Sequence, residues 1–236
     1  MKRGNYPGLI PLVLGIILLS AGCGDESIIN GLPTDIDGNR YDTVMICGQV
    51  WLAQNLRVKH YRNGDPIEKI EDKDQWVQST SGAYCYYENN EKDSAIYGLL
   101  YNWYAINDKR NIAPEGWHVP SYDEWHALEV CLGDSIAANK LKEAGNAHWD
   151  INFFQSQSTN ETGFTAIGSG YRLGGMNPQG AGVFNYRRIE SGWWTTTENP
   201  ELPGSAYHVT MGNNYSILGG CDCPKNGGYS IRLVKD

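Results

Sequence analysis

The sequence has no excess of basic residues. Its 236 residues include 19 lysines and arginines against 27 aspartates and glutamates, which gives a net charge of −8. No segment is rich in lysine or arginine, so no local patch offsets the repulsion between this chain and a phosphate backbone. We therefore expect no nucleic-acid partner.

Motifs that indicate catalysis or metal binding are also missing. The Gly-x-Ser-x-Gly element of serine hydrolases does not occur. The histidines show no ligand spacing except His118 and His126, which are eight residues apart across a helix start. Residues 35–38 begin like a calcium loop, but the later ligands and the closing glutamate of an EF-hand are absent. We interpret them as a turn, and we predict no catalytic residue, no metal site and no cofactor.

No apolar run is long enough to span a bilayer comfortably. The strongest one covers residues 9–19 after two basic residues, which is the arrangement of a secretory signal peptide. Small residues follow it and end at Cys23. The resulting LSAGC resembles the bacterial lipobox, although Ser20 stands where an apolar residue is usual. We predict a signal peptide over residues 1–22 and acylation of Cys23, with an ordinary cleaved signal and a chance cysteine as the alternative.

The residues after Cys23 indicate where the protein goes. A glycine and the acidic pair Asp25 and Glu26 are similar to the sequence after the acylated cysteine in Bacteroidetes lipoproteins of the outer membrane, some of which reach the cell surface. The resemblance implies localisation at the outer membrane, with the membrane as partner of the acyl chains. Residues 23–34 are polar and lack periodicity, so we expect a lipid-anchored tether before one domain over residues 35–236.

The clearest local signal is the segment GWHVPSYDEW. Ser121, followed three residues later by Glu124, forms a capping box, in which each side chain accepts the backbone N–H of the other residue. A helix is therefore predicted from Tyr122 until Gly133 stops it. A second short helix is predicted after it, with Ser135 as its cap.

The remaining elements are predicted from periodicity and turn residues. Short strands are expected on either side of a turn at Gly48. Residues 57–82 are charged and turn-rich, so they predict a surface excursion with Trp76 as its only anchor. Residues 97–106 favour a helix with a broad apolar face, with a strand as the alternative. Strands and loops follow Trp149, so the predicted class is α+β, with short antiparallel strands, two or three helices and long loops.

Taken in order, the motifs resemble a known family. They are DIDGNRYDTV, VWLAQNL, YGLLYNWYAI, GWHVPSYDEW, KLKEAGNAHW, NETGFTAIGSGYR, SGWWTTTE and GYSIRLVKD. This series is similar to the Fibrobacter succinogenes major paralogous domain over residues 35–236. The resemblance implies a C-type-lectin-like fold, in which the terminal strands come together and long loops lie over one face. It implies no established activity, although the same fold houses the formylglycine-generating enzymes.

The cysteines depart from the pattern of that family. Where the family commonly carries two cysteines, this chain has Ala113 and Leu233, which suggests that an apolar contact replaces a disulfide. Five of the six cysteines remain apart from Cys23, and an odd number leaves at least one thiol free or paired between chains. Their pairing is left open among Cys47, Cys85, Cys131, Cys221 and Cys223.

In lectin-like folds, ligands bind to the loops between the middle helices and the terminal strand. The resemblance therefore implies that a ligand of this protein binds there. The calcium-dependent sugar motifs Glu-Pro-Asn, Gln-Pro-Asp and Trp-Asn-Asp do not occur, so a sugar site would be independent of calcium. Residues 171–186 and 191–226 alternate glycine, asparagine and aromatic residues. Flat rings stack on sugars while amides bond hydroxyl groups. The predicted ligand-binding residues are Arg172, Trp194, Tyr207 and Asn213, with Trp193, Asn214 and Tyr215 nearby.

The two adjacent tryptophans limit that prediction. Trp193 and Trp194 lie in a predicted strand, so they must point to opposite faces, and at most one is expected to face solvent. Packing of both rings in the core is the alternative.

Two functions remain open. The first is a non-catalytic binding or adhesion module of the outer membrane or cell surface, with a glycan or a protein as ligand. The second, implied by the resemblance, is an oxidoreductase of the formylglycine-generating type that uses Cys221 or Cys223.

Overall fold

The computed structural model describes residues 31–175 and 180–236. The predicted signal peptide, Cys23 and most of the tether lie outside the described residues. Leu32–Asp236 form one unit. Within the described residues, no helix is both long enough and apolar enough to cross a membrane.

Short strands alternate with short helices along the unit. The strands are β1 (Thr43–Ile46), β2 (Gln49–Leu52), β3 (Glu68–Lys69), β4 (Ala83–Cys85), β5 (Leu100–Tyr101), β6 (Trp117–His118), β7 (Ser169–Arg172), β8 (Phe184–Arg187), β9 (Glu190–Glu198), β10 (Ser205–Gly212), β11 (Gly219–Pro224) and β12 (Val234–Lys235). The helices are α1 (Lys73–Gln78), α2 (Ser94–Tyr97), α3 (Trp103–Ile106), α4 (Tyr122–Leu132) and α5 (Ala137–Leu141). The predicted α+β class is confirmed.

In the part of the chain that the structure describes, the strands form three sheets, with orders β1-β2-β12-β6, β11-β10-β9-β7-β8 and β3-β4-β5. In the first sheet the last strand lies between two earlier ones, because Val234 pairs with both Trp51 and His118. The β3–β4 and β7–β9 pairs are parallel, whereas the sequence predicts only antiparallel pairing.

The turn at Gly48 forms as predicted. Cys47 and Gly48 have φ values of 53° and 81°, the left-handed values that a two-residue turn between β1 and β2 requires. Cys47 is joined by a disulfide to Cys131 in α4, with 6.4 Å between the Cα atoms. The bond therefore fastens the hairpin to the helix. The free cysteines among the described residues are Cys85, Cys221 and Cys223.

The capping box of α4 is confirmed. The Ser121 hydroxyl accepts the backbone N–H of Glu124 at 3.2 Å, and the Glu124 carboxylate accepts the backbone N–H of Ser121 at 2.7 Å. Gly133 ends the helix with φ of 89°. The apolar side packs into the core as predicted, with Trp125, Leu128 and Leu132 buried.

Residues 97–106 do not form the predicted helix. Gly98, with φ of 75°, ends α2, and the chain then pairs with β4 as the short strand β5. Asn102 starts a new helix, because its side-chain oxygen accepts the backbone N–H of Ala105. The helical spacing was misleading since these aromatic side chains pack against several separate elements. The hydroxyl of Tyr101, for example, donates to the carbonyl of Val58 at 2.7 Å.

Ser135 does not cap the second short helix, so that prediction is wrong. A 3₁₀ turn covers Asp134–Ile136, and α5 follows directly without a side-chain cap. The helix ends when Lys142 becomes extended and pairs with Ala166. The ammonium group of Lys142 donates to the backbone carbonyls of Gly212, at the end of β10, and Tyr215, contacts that no local pattern could reveal.

Residues 57–82 are anchored at more points than predicted. Trp76 is fully buried, as expected. The further buried anchors are Val58, Tyr61, Ile67 and Ile70. Each is isolated among charged residues, so the segment shows no periodicity although it is fixed to the core.

Strand β9 separates two parts of the core. Trp193 and Trp194 belong to different apolar clusters, in agreement with the predicted alternation, but both are completely buried. Trp193 packs with Trp125 and Phe164, whereas Trp194 packs against Tyr229. Both faces of the strand are therefore covered, and the core-packing alternative holds for both tryptophans.

The two positions where the family commonly has cysteines are apolar and buried. Ala113 and Leu233 are 1 % and 0 % exposed. They belong to the same apolar cluster, which agrees with the replacement of a disulfide by packing.

Candidate ligand-binding face

Arg172 connects segments of the protein interior. Its side chain is buried and donates to the carbonyls of Gly182, Ile70 and Glu71 at 3.0, 2.9 and 2.8 Å. The guanidinium also lies 4.7 Å from the centre of the Trp76 ring. These contacts leave Arg172 no surface on which a ligand could rest.

Trp194 and Asn213 are also directed into the interior. The indole N–H of Trp194 donates to the carbonyl of Tyr101 at 2.8 Å. The amide of Asn213 donates to the carbonyl of Asp150 at 2.8 Å, and only 7 % of this residue is exposed. Both residues use their polar groups to join distant parts of the chain.

Tyr207 is the partly exposed member of the predicted set. Its ring lies 5.3 Å from the ring of Tyr122 in α4. His208, the next residue of β10, pairs with Trp194, so Tyr207 and Trp194 lie on opposite faces of the sheet. The structure therefore does not bring the four predicted residues together on one surface.

A stack of tyrosines instead leads from the core to the surface beside β7 and β8. The ring of Tyr171 lies between Tyr186 and Tyr229, at centroid distances of 5.3 and 5.1 Å and interplanar angles of 29°. Tyr229 is buried, whereas 47 % of Tyr186 is exposed. The outer end of the stack thus presents a flat ring to solvent.

The backbone at the outer end of this stack is strained. Tyr186 has a φ of 66°, a left-handed conformation that is costly for a bulky residue. Strain of this kind persists only where the surrounding structure imposes it, and it is concentrated at binding and catalytic sites. Tyr186 therefore has a backbone conformation of the kind that is concentrated at binding sites.

Two glycines allow rings to lie flat on the five-stranded sheet. A Cβ atom at Gly192 would overlap the ring of Tyr229, and one at Gly212 would lie 2.5 Å from the ring of Tyr215. Gly212 pairs with Glu190 of β9, which places Glu190 beside Tyr215. We call the surface formed by Tyr171, Tyr186, Glu190 and Tyr215 the tyrosine face.

Partial burial shifts the pKa values of polar groups on the tyrosine face. Burial raises the pKa of the Glu190 carboxyl. Burial, reinforced by the charge of Glu190, raises the pKa of Tyr171. It raises the pKa of Tyr215 as well, whose hydroxyl donates to Thr210 at 3.0 Å. At neutral pH the phenols of Tyr171 and Tyr215 therefore keep their protons, and the face offers hydroxyl groups next to a carboxyl acceptor.

Cys221 is exposed on the edge strand β11, and its Sγ lies 4.0 Å from Nε2 of His208. Burial and the nearby Asp222 raise the pKa of the Cys221 thiol. Burial also lowers the pKa of His208 to about 4, so its imidazole is neutral. The pKa of the buried Cys223 is raised as well. Neither thiol lies in the electropositive setting that produces a reactive thiolate.

A family model described as the Fibrobacter succinogenes major domain matches residues 44–235. The chain belongs to this family. Comparison with curated proteins and with solved structures finds no match. The matched residues include the whole tyrosine face, so the candidate site is part of the Fibrobacter succinogenes major domain itself.

The tyrosine face of this Fibrobacter succinogenes major domain only partly overlaps the segments predicted to carry a ligand: Tyr171, Tyr186 and Tyr215 lie within residues 171–186 and 191–226, whereas Glu190 lies between them. Tyr171, Tyr186 and Glu190 were missed as ligand candidates, and Tyr215 was named only as a neighbour. The available signal was the placement of Gly192 and Gly212 inside strongly patterned strands, since a glycine in a strand often marks a close approach by another group. The face suits a ligand with flat apolar surfaces and surrounding hydroxyl groups.

Proposed function

We propose that the protein is a lipoprotein of the outer membrane, exposed at the cell surface, whose domain has a C-type-lectin-like fold and binds glycans without catalysis. The observation that carries this proposal is the tyrosine face. The lipobox-like sequence ending at Cys23 and the acidic residues after it support the anchored location.

A glycan fits the chemistry of this face. A sugar ring combines C–H surfaces with hydroxyl groups, so it stacks on an exposed aromatic ring and exchanges hydrogen bonds at its edge. Tyr186 supplies the exposed ring, and the phenols of Tyr171 and Tyr215 supply hydroxyl groups. Glu190 supplies an acceptor for sugar hydroxyls. Binding through these groups requires no calcium.

The alternative of an oxidoreductase that uses Cys221 or Cys223 has weaker support. Catalytic thiols need a lowered pKa, whereas the surroundings raise the pKa of both. Thiol labelling of the folded protein tests this alternative. Rapid, stoichiometric labelling at neutral pH would favour it.

The proposal is tested with the full chain in detergent micelles on a glycan array. Tyr186→Ala should weaken binding of a glycan hit by about 1 to 3 kcal/mol, because it removes the exposed stacking ring. Tyr207→Ala is the matched control, since Tyr207 is a partly exposed tyrosine on the other side of the same sheet. EDTA should leave the affinity unchanged.

The results of these measurements distinguish between two binding sites and between two classes of ligand. Loss of binding with Tyr207→Ala but not with Tyr186→Ala would return the site to the position predicted from the sequence. An array without any hit would contradict glycan binding and favour a protein ligand.

A further inference from the structure

A cavity of about 430 Å³ opens between the β1–β2 hairpin, α2 and residues 163–167. It shares no lining residue with the tyrosine face, and its size is that of pockets for small molecules. The polar side chains that line it include Asp42, Gln54, Asn55, Glu143, His148 and Arg232.

The guanidinium of Arg232 is the most unusual group of this cavity. Arg232 is 1 % exposed. Its Nε donates to Oδ1 of Asn55 at 2.7 Å, and its Nη atoms donate to the carbonyls of Leu52, Phe164 and Thr165. These are four hydrogen bonds, whereas a guanidinium has five N–H groups. One donor is therefore left without a partner among the described residues.

Among residues 31–175 and 180–236, the charge of Arg232 also has no counter-ion. All four of its acceptors are neutral amide oxygens. A buried charge without an opposite charge is costly, and burial accordingly lowers the Arg232 pKa to about 9. A ligand with a negative group would supply both the missing acceptor and the missing charge.

Two carboxylates line the same cavity and restrict which anion can enter. Glu143 accepts the backbone N–H of His148 at 3.1 Å, and its Oε1 lies 2.9 Å from the His148 Nδ1. Asp42 accepts the amide of Gln54 at 2.6 Å. A carboxylate has about four acceptor positions, so both retain free ones. They would repel a ligand that carries only negative charge and would attract a cationic donor.

The remaining wall is apolar. Val44, Ile96 and Ile167 line the cavity, and Ile96 is 50 % exposed. The cavity thus combines an unsatisfied cation, two carboxylates and an aliphatic surface.

We propose that this cavity binds a small zwitterion of the α-amino-acid type. Its carboxylate accepts the free N–H of Arg232, its ammonium group donates to Glu143 and Asp42, and its side chain packs against Ile96 and Val44. A plain amine would leave Arg232 uncompensated, and a plain acid would meet the repulsion of the two carboxylates. This site is additional to the glycan site and does not depend on it.

The first test measures binding of the common L-amino acids to the full chain in detergent micelles, by thermal shift and by calorimetry. At least one should raise the unfolding midpoint at millimolar concentration. For that amino acid, the amine without the carboxylate and the acid without the ammonium group should each bind at least about tenfold more weakly. Failure of every amino acid to bind, or equal binding of either analogue, would overturn the proposal.

Variants then place the ligand in the cavity. Ile96→Trp fills the opening and should abolish amino-acid binding, whereas Val130→Trp, at a similarly exposed residue of α4, should leave it unchanged. Glu143→Gln should weaken binding of the amino acid about tenfold but not binding of the deaminated acid. Amino-acid binding that survives Ile96→Trp would refute this location. Glycan binding should persist in Ile96→Trp, which separates the two proposals.

Discussion

The disulfide between Cys47 and Cys131 allows a prediction whose size follows from the structure. Replacing both cysteines by serine opens a loop that spans 84 residues of sequence. Both positions are exposed, so the substitutions remove little packing from the folded state. The expected loss of stability therefore comes almost entirely from the greater freedom of the unfolded chain.

The length of the loop closed by the disulfide determines the size of the expected loss of stability. For a separation of 84 residues, the loop-entropy relation gives about 15 cal/mol/K, which is about 4.6 kcal/mol near room temperature. A loss of this size is a large part of the stability of an ordinary domain. The denaturant dependence of the unfolding free energy should also become steeper, because an unlinked chain exposes more surface when it unfolds.

Urea unfolding followed by tryptophan fluorescence measures both quantities. Cys221→Ser is the control, because Cys221 is an exposed free thiol and its replacement should leave the unfolding free energy unchanged. Reduction of the unmodified protein should reproduce the double variant. A loss below about 1 kcal/mol, with the bond verified by peptide mapping, would refute the argument that the disulfide acts by restricting the unfolded chain.

Three further predictions concern single residues. Ser121→Ala should lower the free energy of unfolding by about 1 kcal/mol, while Ser121→Asp, which keeps a capping oxygen, should retain most of it; equal stability of both variants would contradict the role of the cap. At His118, burial lowers the pKa, but hydrogen bonds with Glu124 and Asp236 outweigh burial and leave the pKa raised. The stabilisation by His118 should therefore be complete below about pH 6.5, the unfolded value, and disappear as the pH rises through the folded pKa. His118→Gln should flatten this part of a plot of Tm against pH, and an unaltered plot would assign the effect to other groups. Cys23→Ser should move the protein out of the detergent phase, because signal peptidase II acts only on the acylated cysteine; lipid still attached to the variant would disprove the lipoprotein prediction.

Features specified by neighbouring residues were predictable from the sequence. The capping box of Ser121 and Glu124 and the turn at Gly48 each depend on a few adjacent residues, and both form. The alternation of Trp193 and Trp194 was also predictable. Which faces of the sheet are covered depends on elements distant in sequence, so the complete burial of both rings could not be deduced from β9 alone.

The candidate site was less accessible to sequence reasoning for the same reason. Arg172 and Asn213 are residue types that often bind ligands. Here their side chains instead donate hydrogen bonds to carbonyl groups of remote segments. Tyr186 is a ligand-binding candidate because its exposed ring stacks on Tyr171, and this contact is visible only in the structure. A polar side chain in a loop can bind either a ligand or a distant backbone, and local spacing does not distinguish these two uses.

The position of β12 has a consequence for the order of folding. Among the described elements this strand is the last in the chain, yet it lies inside its sheet and pairs with β2 and β6. The sheet therefore cannot close until about 180 residues separating Trp51 from Val234 have been synthesised. A variant truncated before Val234 should leave this sheet open and should therefore be cut faster by proteases than the full chain.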